Sequence, residues 1–376
     1  MQNGKQAGQG LTVLVTGGNG FLGRALALAL RDGGHRAVVA DLTLPEAGDR
    51  LEGVSYTQAD IRDLPALTRI AEAHTVNAIA HLAGLVIPVC RQNPVLGAEV
   101  NVIGQINVME LARTLGISRL VYTSSLAARP RGALQSPTNL YGVYKRCGED
   151  IAKVYFLDHG IASVGLRPNV VYGPGRDSGE TAAITLAMRA AARGEAYEIP
   201  FSSIMCFQHI DEVTDIFLRC LAARPEGPVV SDLTTDARST DDVIAAIRAV
   251  VPDASITAAP GFRPAPEEMD NAPLRALLGD WQALSLEEGT RRTIAAFRAA
   301  LLAKLVEEAG EAAVARDADG LVTEIADLLE VVDALLRAEG IDSARVLAEQ
   351  TKRRAERGGF EGRWELRWTE RTDRGP

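Results

Sequence analysis

Apolar residues come in short blocks that alternate with longer amphipathic stretches from residue 11 to about 172. The first block, Leu11, Val13, Leu14 and Val15, reads as a buried strand, and Arg24 to Leu30 is a run of good helix formers. Repeated strand-then-helix alternation predicts an α/β fold: a doubly wound parallel sheet with helices on both faces. Between 173 and 300 the pattern is punctuated by Pro and Gly at 173–175, 225–228 and 260–266, which reads as a smaller lobe closing over the edge of the sheet. From 301 the chain becomes rich in Ala, Glu, Leu and Arg, without proline before the last residue, and its apolar period becomes helical. The expected organisation is a disordered tail (1–10), a dinucleotide-binding domain (11–172), a substrate lobe (173–300) and an all-α module (301–376).

Two short stretches add chemistry to this pattern. TGGNGFLG (Thr16 to Gly23) sits between the first strand and the first helix, with Gly17, Gly20 and Gly23 at the spacing G-x-x-G-x-x-G. Bare glycines let backbone N–H groups and a helix N-terminus approach a pyrophosphate. The apolar run Ala37 to Ala40 ends in Asp41, where an acid can accept both ribose hydroxyls. No arginine follows to receive a 2′-phosphate, so the expected cofactor is NAD. The second stretch is YGVYK, which puts Tyr141 and Lys145 on one face of a helix. A neighbouring cation favours the phenolate, so Tyr141 is expected to act as a general base with its pKa lowered by Lys145. Ser124 and Ser125 end the apolar run Leu120, Val121, Tyr122, and open α/β sheets place their sites at strand carboxyl ends.

Composition narrows the field. The chain has 376 residues, 47% hydrophobic and 24% charged, with a net charge of −9, which gives no basic stripe for nucleic acid or an acidic membrane. Cys90, Cys147, Cys206 and Cys220 form neither a C-x-x-C nor a cluster with histidine, so they read as reduced thiols of a cytoplasmic protein. No apolar run approaches the length of a membrane span, and the first ten residues do not resemble a signal peptide.

Positions 11–299 resemble the extended short-chain dehydrogenases, the NAD-dependent epimerase/dehydratase group, whose first domain is of the Rossmann type. Besides TGGNGFLG and YGVYK, the likeness rests on Asp60-Ile61, HLAG at 81–84, the segment NPVLGAEVNVIGQINVMELAR, LRPNVVYGPG at 166–175, FQHIDEV at 207–213 and LSLEEGTRRTIAAF at 284–297. The resemblance implies a catalytic set of Ser125, Tyr141 and Lys145. It implies a cofactor site made by Gly17, Gly20, Phe21, Leu22, Gly23, Asp41, Asp60, Ile61, Leu82, Ala83, Gly84, Asn101, Ser124, Tyr141, Lys145, Pro168 and Val170. Substrate would meet Ser125, Tyr141, Asn169, Arg176, Gln208 and Arg263.

Departures from the family pattern narrow the chemistry further. Dehydratases carry an Asp-Glu pair after the catalytic hydroxyl, whereas Leu126 and Ala127 follow Ser125 here, which disfavours dehydration. UDP-sugar epimerases place an arginine before the segment matched by FQHIDEV, but here Met205 and Cys206 stand there, with Arg263 as a partial substitute. The implied activity is oxidation of a secondary hydroxyl on a sugar, a sugar acid or a nucleoside- or nucleotide-linked sugar. Nucleotide-sugar epimerisation with transient NAD reduction, and a non-catalytic NAD-binding module, are the alternatives.

The remaining segment carries LLAKLVEEAGEAA and then LVTEIADLLEVVDALL, both amphipathic. Glu307, Glu308 and Glu311 share one arc of the first helix, and Glu324 and Asp327 one face of the second, so five carboxylates could be pooled. Oxygen-only clusters suit magnesium. This order of acids, with KRRAERGGF at 352–360, resembles the MazG-like and phosphoribosyl-ATP pyrophosphohydrolases, and so implies a nucleotide as a second ligand. Helices of this kind bury their faces by pairing, which predicts a homo-oligomer; a carboxylate-rich dimerisation handle is the alternative.

Overall fold

The computed structural model describes residues 10–179, 181–233, 237–263 and 269–358. Six strands of the first domain are β1 (Thr12–Thr16), β2 (Arg36–Asp41), β3 (Ser55–Gln58), β4 (Ala78–His81), β5 (Leu120–Thr123) and β6 (Val164–Arg167). They are followed by β7 (Val170–Tyr172), β8 (Tyr197–Ile199), β9 (Ser202–His209), β10 (Val229–Asp232), β11 (Ala237–Ser239), β12 (Ile256–Ala258) and β13 (Phe262–Arg263). The main sheet has the order β10-β6-β5-β4-β1-β2-β3, and every pairing in it is parallel. This is the doubly wound arrangement expected from the alternating pattern. Val13, Leu14, Val15, Val38, Val39 and Ile79 are fully buried because helices cover both faces, which is why these strands are apolar at every position rather than alternate ones.

The strand order reverses between β1 and β4, so a crevice opens above the carboxyl ends of these two strands, at the place where such sheets bind ligands. A smaller lobe is built around β9, which pairs with β7, β11 and β13, beside a small β8–β12 ribbon. Helices Ala183–Ala192 and Thr240–Val250 supply its core, with Ile184, Met188, Phe207 and Ile247 packed together. Strand β10 returns the chain to the main sheet beside β6.

Helix Leu286–Val314 is one continuous rod, capped by Ser285, whose hydroxyl accepts from the Glu288 N–H. Its first half is buried in the lobe through Ile294, Thr290 and Thr293, and its second half runs outward beside helix Ala318–Ala338. The expected boundary at 300–301 falls inside this rod, where Leu301 is buried, so the change in composition marks a change of surroundings and not a break in the backbone. The end of the second helix touches the lobe again: Arg298 Nη2 donates to the Ala338 carbonyl at 3.4 Å. Helix Ser343–Arg357 follows, with no buried residue. Among the described residues no helix is long and apolar enough to cross a membrane. The expected disordered tail lies almost wholly outside the described residues.

Candidate active site

Strand β1 delivers the chain into the loop Gly17–Gly20, from which helix Phe21–Asp32 departs with Gly20 at its N-cap. Gly17 has φ +68°, and a Cβ there would lie 2.7 Å from the Ala83 backbone, so the loop can press against the end of β4 only with a bare residue. Below the loop, Thr16 Oγ1 and His81 Nδ1 are 2.7 Å apart, and burial holds His81 down at about 3, hence neutral. A crevice of about 390 Å³ opens above these strand ends. Gly17, Gly20, Asp41, Asp60, Ile61, Leu82, Ala83 and Gly84 line it, all of them among the residues expected to hold a dinucleotide.

The Asp41 carboxylate already accepts from the Asn19 N–H (3.0 Å) and the Thr43 N–H (3.4 Å), which fixes its orientation at the tip of β2. Asp60 is engaged by the Arg62 guanidinium, whose hydrogen bonds hold the carboxyl below its ordinary range. Asn101 is buried in a π-helical turn over Glu99–Ile103, donating to the carbonyls of Leu85 (3.1 Å) and Gly97 (3.0 Å). Its amide nitrogen is committed to the backbone around it. Val170 is buried in β7, and the Pro168 carbonyl receives the Leu126 N–H. Phe21, Leu22 and Gly23 occupy the first turn of the first helix.

Helix Leu140–His159 begins at Asn139, whose side chain accepts from the Gly142 N–H at 2.9 Å. A Cβ on Gly142 would sit 2.1 Å from the Ala127 carbonyl oxygen, so this helix docks hard against the turn that follows Ser125. That close approach brings the Tyr141 phenol beside Ser125, whose hydroxyl favours the charged form of the phenol. Lys145, one turn on and 8% exposed, donates to the Thr123 carbonyl at 2.9 Å, with its ammonium 5.8 Å from the Tyr141 ring centre. Burial depresses the lysine to about 8.

The expected acidification of Tyr141 by Lys145 is absent from this arrangement. Burial raises the phenol above its ordinary value, and the groups that pull it down are the Ser125 hydroxyl and the Arg176 guanidinium. The physical reason is geometric: the ammonium points to the strand end, toward Thr123, and is itself disfavoured by desolvation.

Ser124 also differs from expectation in where its hydroxyl points. It is 2% exposed and donates to Glu149 at 2.5 Å, away from the crevice. Glu149, fully buried, also accepts from Arg167 through both of its oxygens (2.6 and 2.5 Å). Arg167 Nη1 lies 3.6 Å from Asp232, which pairs with Arg129 and accepts from the Asp270 N–H. This chain of charges ties together the ends of β5, β6 and β10 and the helix of Tyr141. It was not foreseen from the sequence, although Glu149 stands four residues after Lys145, on the same helix face, and Arg167 closes β6.

On the substrate side, Asn169 accepts from the Cys206 N–H (2.9 Å) and Gln208 donates to the Leu233 carbonyl (2.5 Å), so both pin the lobe to the sheet. Arg176 lies over the Phe21 ring, 5.5 Å from its centre. The Arg263 backbone pairs with Ser203 in β13; its side chain lies outside the described residues. In the tail, Glu308, Glu311 and Glu324 present carboxylate oxygens within 4.8 Å of one another. Glu308 is 4% exposed, and its Oε2 is buried with no hydrogen-bond partner. Glu307 turns outward to Lys304 at 3.0 Å, and Asp327 is felt at the cluster only through its charge on Glu324.

Residues 13–231 match the family model described as NAD dependent epimerase/dehydratase. The chain belongs to that family. Residues 283–354 match a second model, phosphoribosyl-ATP pyrophosphohydrolase, so an N-terminal domain of the epimerase/dehydratase family is fused to a helical domain of this second kind. The second match begins within the segment before the continuous rod, which therefore serves both domains. Among curated relatives, an uncharacterized epimerase/dehydratase of Staphylococcus haemolyticus is 25% identical over 226 residues, covering 56% of this chain and 71% of that protein. The UDP-glucose 4-epimerase of Thermotoga maritima, solved with UDP-glucose, has 22% identity and TM-score 0.67, covering 77% of this chain and 100% of that one. The L-threonine dehydrogenase of Cupriavidus necator gives 22% identity and TM-score 0.67 over 77% of this chain and 99% of that one. Likeness at this identity shows the NAD-binding fold that epimerase/dehydratase family members share.

Proposed function

We propose that this protein is an NAD-dependent oxidoreductase that oxidises a secondary hydroxyl of a sugar, a sugar acid or a nucleoside- or nucleotide-linked sugar. The observation that carries this reading is the approach of Tyr141 to Ser125 at the carboxyl end of β5, with Lys145 Nζ packed against Gly84 of the dinucleotide crevice. NAD fits that crevice because Asp41 offers carboxylate oxygens where a ribose would lie and the glycine loop presents bare backbone. Gly17, Gly20, Asp41, Asp60 and the 82–84 segment would hold it, and once bound its nicotinamide supplies a hydride acceptor.

The chain's own residues do the rest. Ser125 orients the carbinol oxygen, and the Tyr141 phenolate removes its proton as the C–H bond breaks. Lys145 places a cation near the phenol and is held in position by Thr123. Leu126 and Ala127 offer no acid for expelling water, and Met205 and Cys206 offer no cation for a sugar-nucleotide diphosphate, which favours net oxidation of a compact substrate over the epimerase alternative.

In the tail we read a magnesium-dependent nucleotide site. The orphaned, buried Oε2 of Glu308 and the raised proton affinity of Glu324, caused by burial and then by Glu311 and Glu308, describe crowded carboxylates whose one paired cation, among the described residues, is Lys304 on Glu308 Oε1 at 2.6 Å. A hard divalent cation suits that donor set, with Glu308, Glu311 and Glu324 as its holders. The exposed apolar side chains Leu302, Val306, Val322 and Leu329 support assembly of the tail with other copies.

The decisive test is NAD reduction followed by absorbance across a panel of sugars, sugar acids, nucleosides and sugar nucleotides. One class should reduce NAD, and Tyr141→Phe should lower that rate by about a thousandfold while still binding NAD. Isotope exchange without net reduction would instead select the epimerase. A flat panel on both measures would leave a binding module.

A further inference from the structure

Arg176 follows β7 in the loop where the chain leaves the sheet for the smaller lobe. Its guanidinium is half-buried over the Phe21 ring, and Nη2 donates to Thr181 Oγ1 at 3.2 Å. Stacking and this hydrogen bond fix the plane of the group. Its Nε is buried with no partner. Among the described residues no carboxylate lies within ion-pair distance of it, in contrast to Arg129 and Arg167, which are paired with buried acids. The charge nonetheless acts on the reaction centre, since Arg176 is one of the two groups that pull the Tyr141 phenol down. A rigid cation in a partly desolvated cleft, with its buried Nε–H unused and only the charge of exposed Asp177 nearby, outside ion-pair distance, is complementary to an anion supplied from outside.

We propose that Arg176 is a specificity-determining residue that receives a carboxylate or phosphate borne by the substrate, so that the alcohol oxidised at Tyr141 belongs to an anionic molecule. The proposal rests on reading Tyr141 as the base. Among the other residues expected to meet substrate, Asn169 accepts from the Cys206 N–H and Gln208 donates to the Leu233 carbonyl, neither carries a charge, and the Arg263 side chain lies outside the described residues, so Arg176 is the one cation among the described members of that set. The planar fork matches both anions in bidentate fashion, and the shared chemistry extends to one competing source, the pyrophosphate of the dinucleotide. Phe21, under the guanidinium, lies in the first turn of the glycine-loop helix, so the two sources must be separated by measurement.

The experiment uses the full chain and does not depend on turnover. Thermal shift of the NADH-loaded protein is read with gluconate, glycerate and inorganic phosphate, against glucose and glycerol as neutral controls, in the wild type, Arg176→Gln and Arg176→Lys. Affinity for NADH is measured in parallel by its fluorescence. At least one anion should bind the wild type more tightly than its neutral control. Arg176→Gln should weaken that anion on the order of a hundredfold, Arg176→Lys should weaken it less, and NADH affinity should hold in both. An equal response to charged and neutral probes, or no response to any anion, overturns the proposal. So does loss of NADH affinity in Arg176→Gln alongside loss of the anion response, which would assign the guanidinium to the pyrophosphate. If Arg176→Gln does not fold, the Lys variant, which keeps the charge and loses the fork, carries the comparison through its reduced anion affinity at unchanged NADH affinity. The outcome is separable from the oxidation reading: a flat NAD-reduction panel with an intact anion response condemns the base at Tyr141 and leaves Arg176 standing.

Discussion

The sheet domain and the helical tail solve the problem of holding charged groups in opposite ways. Around Tyr141, polar groups are buried and mutually satisfied: Glu149 has no exposed surface and accepts from Ser124 and from both arms of Arg167. In the tail, Ala338 is the one buried residue of helix Ala318–Ala338, and helix Ser343–Arg357 has none. Its acids crowd together at Glu308, Glu311 and Glu324 with Lys304 as the paired cation on Glu308. A preorganised site needs a core behind it. The first region has one; the second must obtain its order from a bound cation, from other copies or from the lobe it leans on.

The sharpest way to break that comparison is to remove one member of the buried network. Glu149→Ala leaves Arg167 with only the more distant Asp232, which Arg129 already engages, in a site with almost no solvent, and should cost about 3 kcal/mol of stability by urea denaturation. An equivalent truncation at exposed Glu307 should stay within about 0.5 kcal/mol. Similar losses at both positions would mean that the two regions do not differ in the way described.

Much of the first region was legible because its signals are local. A buried parallel strand is a short apolar run, a phosphate loop is a glycine pattern and a tyrosine–lysine pair is a helical spacing, so the sheet and the crevice at its switch point followed from short windows, while the choice of Ser125 over Ser124 needed the family resemblance. What failed to show in the sequence depends on distant partners. The direction of the Ser124 hydroxyl is set by Glu149 and Arg167, which are remote in sequence, and the source of charge acting on Tyr141 turned out to be Arg176, beyond the window of YGVYK. In the tail, the helical period disclosed five acids on facing arcs, but only the rotation of the two helices decides that Glu308, Glu311 and Glu324 converge while Glu307 pairs outward with Lys304.

A smaller effect sharpens the contrast from the tail's side. If carboxylate crowding is relieved by a divalent cation, magnesium should raise the thermal midpoint of the full chain, and at a concentration of about one hundred times the dissociation constant the gain should approach about 2.7 kcal/mol. Glu308→Gln should abolish the gain, while Glu307→Gln should leave it nearly intact. Equal behaviour of the two variants would return the cluster to an ordinary acidic surface.

The smallest effect concerns the phenol, and it tests which neighbour governs it. In the protein free of ligands, Tyr141 should titrate above the ordinary phenol range, because desolvation opposes its charge more than its neighbours favour it. The phenolate absorbance that wild type shows in excess of Tyr141→Phe isolates this group from the other tyrosines. Ser125→Ala removes a hydroxyl that favours the charged form, so the titration should move to still higher pH, and oxidation rates should need more alkaline conditions to the same extent. Lys145→Met should move it less than Ser125→Ala, since the ammonium is turned to Thr123 and gives up its own proton at about 8, before the phenol ionises. A larger displacement in the lysine variant would restore the simple picture of a phenol acidified by the cation one turn away. It would also imply that Lys145 changes its hydrogen-bond partner in solution, leaving the Thr123 carbonyl for the Tyr141 oxygen.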